Sequence, residues 1–79
     1  MSVEAELIKE IEKWSKKLDD SLLDVHALDD RGTKMLKNIQ AYRADSHHFL
    51  KCEDLIKSFE CLVWAWAIIE LGKELGHLK

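Results

Sequence analysis

Proline is absent from the 79 residues, and glycine occurs only three times, at Gly32, Gly72 and Gly76. A β-sandwich or barrel of this length needs a turn roughly every 8–12 residues. The shortage of turn formers therefore excludes that class and leaves an all-helical chain. Cysteine is scarce as well. Cys52 and Cys61 would stand about 13 Å apart along a helix, beyond the roughly 7 Å Cα limit for a bridge. No internal disulfide is expected, and two reduced thiols suit a cytoplasmic protein.

Long apolar runs are also missing. The longest, Cys61 to Ile69, is closed by Glu60 and Glu70 and is about half of what a bilayer crossing requires. Met1-Ser2-Val3-Glu4-Ala5-Glu6 carries acids where a secretory signal has a basic region followed by an apolar stretch. Neither a signal peptide nor a membrane span is expected. Charge of one sign is lacking too: 12 basic residues face 15 acidic ones, for a net charge of −3. A general nucleic-acid binder is normally basic, so that class of partner is not expected. No Gly-rich phosphate loop or nucleophile elbow is present, and no cofactor is expected.

What the chain does have is helical periodicity. Leu7, Ile11, Trp14, Leu18, Val25 and Leu28 keep alternating spacings of four and three if Ser21 fills the missing step, which marks one face of a helix. Lys9, Lys13, Lys16 and Lys17, interleaved with acids, make the opposite, solvated face. Asp19-Asp20-Ser21 is a point of weakness, because these side chains compete for backbone donors, yet the stripe stays in register beyond it. The pattern predicts one helix over about 3–28. Asp29-Asp30-Arg31-Gly32-Thr33 then reads as a loop, with Gly32 left-handed and Thr33 capping the next helix. That second helix, about 34–51, turns Met35, Leu36, Ile39, Tyr42, Ser46, Phe49 and Leu50 inward. Lys51-Cys52-Glu53-Asp54 reads as a tight turn in which Asp54 caps a third helix, about 55–76.

The third helix is apolar on two sides. One face is Leu55, Phe59, Leu62, Trp66 and Ile69; the other, nearly opposite on a 100° wheel, is Cys61, Trp64, Ile68, Leu71 and Leu75. A three-helix bundle covers only one of them. A single core below about 70–80 residues rarely supplies more than about 3–5 kcal/mol, so the second face is the candidate interface, and tryptophan is enriched at such sites.

Other constellations carry less. Arg43 and His48 form an Arg-x4-His pattern similar to that of the helical ribonucleases and nucleotide-binding domains called HEPN, in which an arginine holds phosphate and an imidazole moves a proton. Positions five apart on a helix diverge by about 140°, so the two converge only across a symmetric dimer. Asp45, His48 and Cys52 set a carboxylate, an imidazole and a thiol along one strip. Without a Cys-x2-Cys or His-Glu-x2-His motif, a polar surface strip is the preferred account. His26 and His77 stand alone.

The segment Tyr42-Arg43-Ala44-Asp45-Ser46-His47-His48-Phe49-Leu50, the turn ending in Asp54, then Phe59 and Trp64-Ala65-Trp66-Ala67-Ile68-Ile69-Glu70-Leu71-Gly72, resembles the archaeal family known as domain of unknown function 357. The resemblance covers roughly residues 33–76 plus a compatible leading helix. It departs from the family pattern at Cys52 and Glu53, where glycine usually precedes the aspartate, and at Glu70, where aspartate is common. It implies a compact three-helix bundle from an archaeal cytoplasm, brings no established activity, and draws attention to Tyr42, Asp45 and Phe49.

The expectation is an all-α, antiparallel up-down-up three-helix bundle in a single domain, with a long first helix and two shorter ones. It is expected to be non-catalytic and to associate with a second copy or another protein through Cys61, Trp64, Ile68, Leu71 and Leu75. The alternative is a HEPN-like domain acting through Arg43 and His48.

Overall fold

In the computed structural model, which describes residues 2–79, Ser2 accepts a hydrogen bond from the Ala5 amide and opens α1, Val3–Leu22. Glu4 and Glu6 lie in its first turn, where the helix dipole favours negative charge. Ile11 and Leu18 are buried, with Leu7 and Trp14 half-buried beside them. The helix stops at Leu22, six residues short of the expected 28, close behind the Asp19-Asp20-Ser21 weak point. Val25 is buried as expected, but from an irregular segment and not from a helix; Leu28 is exposed.

The expected loop at Asp29–Thr33 is also corrected. Asp29 is itself the N-cap of α2, Asp30–Lys51: its Oδ1 accepts from the Gly32 amide at 2.8 Å. Gly32 is thus in the first helical turn and Thr33 is past the cap. The reason lies at the far end of the chain. Residues 26–28 pair with the C-terminal tail in a short antiparallel bridge, in which the His26 and Lys79 backbones exchange hydrogen bonds and the Leu28 amide donates to the His77 carbonyl, each at 2.9 Å. Leu78 is buried by this pairing. The tail passes so close to Gly32 that a Cβ there would overlap the His77 carbonyl oxygen. Glycine is required at this position by a neighbouring backbone, and its own dihedral angles make no such demand.

The turn between α2 and α3, Leu55–Glu74, is as expected, with the Asp54 side chain accepting from the Lys57 amide. The end of α2 is a Schellman motif. The Asp54 amide donates to the Phe49 carbonyl and the Glu53 amide to the Leu50 carbonyl, which places Glu53 at the left-handed position with φ 61°. The end of α3 repeats the motif, with Gly76 at φ 82° and the His77 amide on the Gly72 carbonyl. Glycine meets this demand at one end and glutamate at the other.

Three helices of 20, 22 and 20 residues result, and α1 and α2 both pack against α3. The molecule measures 44 × 19 × 18 Å. Ser58, Leu62, Ala65, Ile69 and Gly72 are the buried arc of α3. Between α2 and α3, Ser46 Oγ donates to the Ser58 carbonyl at 2.9 Å and Ser58 Oγ to the Ser46 carbonyl at 2.8 Å. Both hydroxyls are fully enclosed, and this reciprocal pair fixes the register of the two helices.

Two substitutions test these close approaches by urea denaturation. Gly32→Ala should destabilise the chain by about 1–3 kcal/mol through overpacking, although alanine favours a helix interior by about 1 kcal/mol over glycine. Glu53→Gly should stabilise it by roughly 0.5–1 kcal/mol, because glycine carries no penalty for positive φ.

Candidate interaction surface

Among the described residues, five of the nine exposed large hydrophobics lie on α3 or its C-cap: Ile56 at 70% exposure, Val63 at 52%, Trp64 at 58%, Leu71 at 52% and Leu75 at 62%. This concentration singles out one helix. The buried arc of α3 faces α1 and α2; Trp64, Leu71 and Leu75 of the expected second face lie outside it, while Ile56 and Val63 point away from that face on another side of the helix.

The five residues expected at the interface divide into two groups. Trp64, Leu71 and Leu75 are exposed, whereas Cys61 and Ile68 are half-buried against the core edge. Trp64 lies stacked on Tyr42 of α2, with ring centroids 6.3 Å apart and planes at 17°, which holds one indole face inward. Burial, then the charges of Asp45 and Glu60, push the Cys61 thiol above its ordinary pKa. Cys61 is therefore protonated at neutral pH and behaves as a small apolar side chain. In the first turn of α3, Lys57 sits over the Phe49 ring at 5.6 Å.

A concavity lies between α1 and α3. It is a groove of about 480 Å³ lined by Trp14, Phe59, Leu62, Val63, Trp66, Ala67 and Glu70. The two indoles meet edge to face at 5.9 Å, and the ammonium groups of Lys17 and Lys13 stand 4.7 and 5.6 Å from the Trp14 ring centre. Trp14 donates to Glu10, while the enclosed Trp66 Nε1 has no hydrogen-bond acceptor among the described residues. Sequence spacing placed both tryptophans in core stripes. Both do pack against the core, and they also form walls of the groove with Lys13 and Lys17 on its rim.

The Arg43 and His48 pair does not converge within the chain. Arg43 is committed elsewhere: its Nε and Nη2 donate to the two carboxylate oxygens of Asp19 at 2.7 and 3.0 Å. This bidentate pair ties α2 to α1. The hydrogen bond from Arg43, with its charge adding to it, holds the Asp19 carboxyl below its ordinary value, and Arg43 is raised in return. His48 is exposed, with Nε2 3.8 Å from Cys52 Sγ and its ring edge-on to Phe49. Among the described residues no three of His, Cys, Asp and Glu converge where a metal ion could be held. His77 has a structural partner that spacing did not reveal: its Nδ1 donates to Asp29 Oδ2 at 2.6 Å. That bond and the Gly32 amide keep the Asp29 carboxyl below its ordinary value.

A three-helix bundle with exposed apolar side chains along one side of its third helix defines a class of small helical domain. The chain belongs to the family described as protein of unknown function, DUF357, whose model matches residues 13–78. It is similar to the crystal structure of protein AF1782 from Archaeoglobus fulgidus, itself of that family, at 41% identity and a TM-score of 0.88 over 99% of this chain and 97% of the other. No curated protein matches the chain. No helix among the described residues is long and apolar enough to cross a membrane.

The Asp19–Arg43 pair sets a pH dependence with a definite sign. A carboxylate whose folded pKa is depressed adds stability that is fully present above its ordinary value near 3.8 and is lost as pH falls through the lowered value. Asp29 acts in the same direction. Stability should therefore decline as pH drops from about 4 towards 2. Asp19→Asn should be less stable than the parent at pH 7, by about 1 kcal/mol or less for so exposed a pair, and its decline should be shallower. Urea midpoints at pH 7 and pH 3 measure both effects.

Proposed function

We propose that this chain is a small non-catalytic helical domain that works by association, and that it pairs with a second copy of itself through the outward seam of α3: Cys61, Trp64, Ile68, Leu71 and Leu75. The observation that supports this most is the exposure of Trp64, Leu71 and Leu75 along one line of that helix. Spacings of three and four along the seam suit helix-to-helix packing. A soluble monomer rarely presents so long an apolar stripe without using it.

Surface area points the same way. The chain exposes 5552 Å², whereas a folded monomer of its mass, 9.2 kDa, is expected to expose about 4,900 Å². The excess, roughly 600 Å², goes with the elongated 44 × 19 × 18 Å shape, which leaves a long flank available for pairing. The two free thiols fit a reducing compartment such as the cytoplasm.

Gel filtration coupled to light scattering tests the reading on the full chain. A dimer is expected at micromolar concentration. Trp64→Glu should weaken it by a hundredfold or more, as removal of a buried anchor does, while Lys16→Glu on the outer face of α1 should leave it unchanged. A parent chain that stays monomeric up to 100 µM (a concentration of order Kd for a weak pair) overturns the proposal.

A further inference from the structure

We infer that the two copies meet about a two-fold axis perpendicular to the helices, with α3 antiparallel to the partner's α3 and Lys34 of each α2 opposite the partner's Asp45. This rests on the self-association reading and adds the register.

The inference starts from the strip of α2 that borders the seam. Lys34, Asn38, Ala41 and Asp45 are all exposed and recur at spacings of four, three and four, so they share one face of the helix. Two observations place that face beside the seam. Tyr42, next to Ala41, is stacked on Trp64, and Asp45 is near enough to Cys61 for its charge to act on the thiol. The strip carries a cation at one end and an anion at the other, about 16 Å apart along the axis.

Levels along the bundle then select the pairing. Because α2 runs antiparallel to α3, the Lys34 end lies beside Gly72, over which the Met35 sulfur sits, and the Asp45 end lies beside Cys61. Midway between Cys61 and Gly72 is the level of Ala67. Midway between Trp64 and Leu71, two exposed seam residues one heptad apart, is the same level to within a residue. One perpendicular axis near Ala67 therefore does two things at once: it sets each Trp64 against the partner's Leu71 and each Lys34 against the partner's Asp45.

The parallel alternative, with the axis along the helices, is poorer for the charges. It keeps every residue level with its own copy, so wherever the two strips meet Lys34 faces the partner's Lys34 and Asp45 the partner's Asp45. Like charges opposed across an interface disfavour that arrangement.

A charge-reversal cycle tests the register, read as the dimer Kd from sedimentation equilibrium of the full chain, with circular dichroism confirming that each variant is helical. Lys34→Glu and Asp45→Lys should each weaken the dimer about tenfold, since each change turns two symmetry-related attractions into repulsions. The double variant should return to within about threefold of the parent. A dimer that is indifferent to either single change, or that the double change does not restore, overturns this register while leaving self-association standing. A monomeric parent overturns both.

Discussion

The structure depends on how α3 divides its surface. Both other helices pack on it, and its buried arc is Ser58, Leu62, Ala65, Ile69 and Gly72. Three of these five side chains are small. Small residues let a neighbouring backbone approach closely, so α2 lies near enough for Ser46 and Ser58 to reach each other's carbonyls across the gap. Larger groups here would push α2 away and break that reciprocal pair, leaving buried hydroxyls unsatisfied at about 1–3 kcal/mol each. Apart from Leu62 and Ile69, which fill the arc between the small residues, the large apolar residues of α3 stand at its edges or outside it. The same arrangement that lets the bundle close tightly leaves Trp64, Leu71 and Leu75 without cover.

The helix ends show a second constraint, imposed from the far end of the chain. Asp29 uses one carboxylate oxygen to cap α2 and the other to hold His77, so the start of α2 and the C-terminal tail are ordered together. Leu78 packs into the core as a result, closing the end of the bundle that the irregular segment after α1 would otherwise leave open. Gly32 admits the tail backbone. The bundle is thin, and this pairing extends its core beyond what three helices alone provide.

What was legible in the sequence follows from how local each signal is. The class, the inward stripe of α2, the turn at Lys51–Asp54 and the Asp54 cap each rest on residues within a turn or two of one another, and each stands in the structure. The end of α1 did not reveal itself, because Val25 keeps the heptad register while being buried from an extended segment that pairs with residues about fifty positions away. For the same reason Asp29 passed for part of a loop: its second partner, His77, looked isolated. Arg43 stands out in the sequence only as half of an Arg-x4-His pattern, yet it meets Asp19 across the bundle, a contact that spacing along one helix cannot show. On the candidate surface, the apolar seam was visible from periodicity alone. The Tyr42 stack beneath Trp64 and the groove between the two other tryptophans depend on how the helices face one another.

Taken together, the polar contacts act as locks on register more than as sources of stability. Exposed ion pairs contribute little, and the Asp19–Arg43 pair is of that kind. Yet it joins α1 to α2 in a bidentate geometry, while the two serines join α2 to α3 at a fixed level. A slip of one turn in either helix pair would forfeit one of them. Holding register matters most for the outer surface, where α2 and α3 jointly present Tyr42 beneath Trp64 and a charged strip beside the seam. If α2 slid by one turn, about 5.4 Å, Tyr42 would leave Trp64 and Asp45 would move away from the level of Cys61. The locks therefore preorganise a surface built from two helices, which reduces the ordering cost that any association must meet.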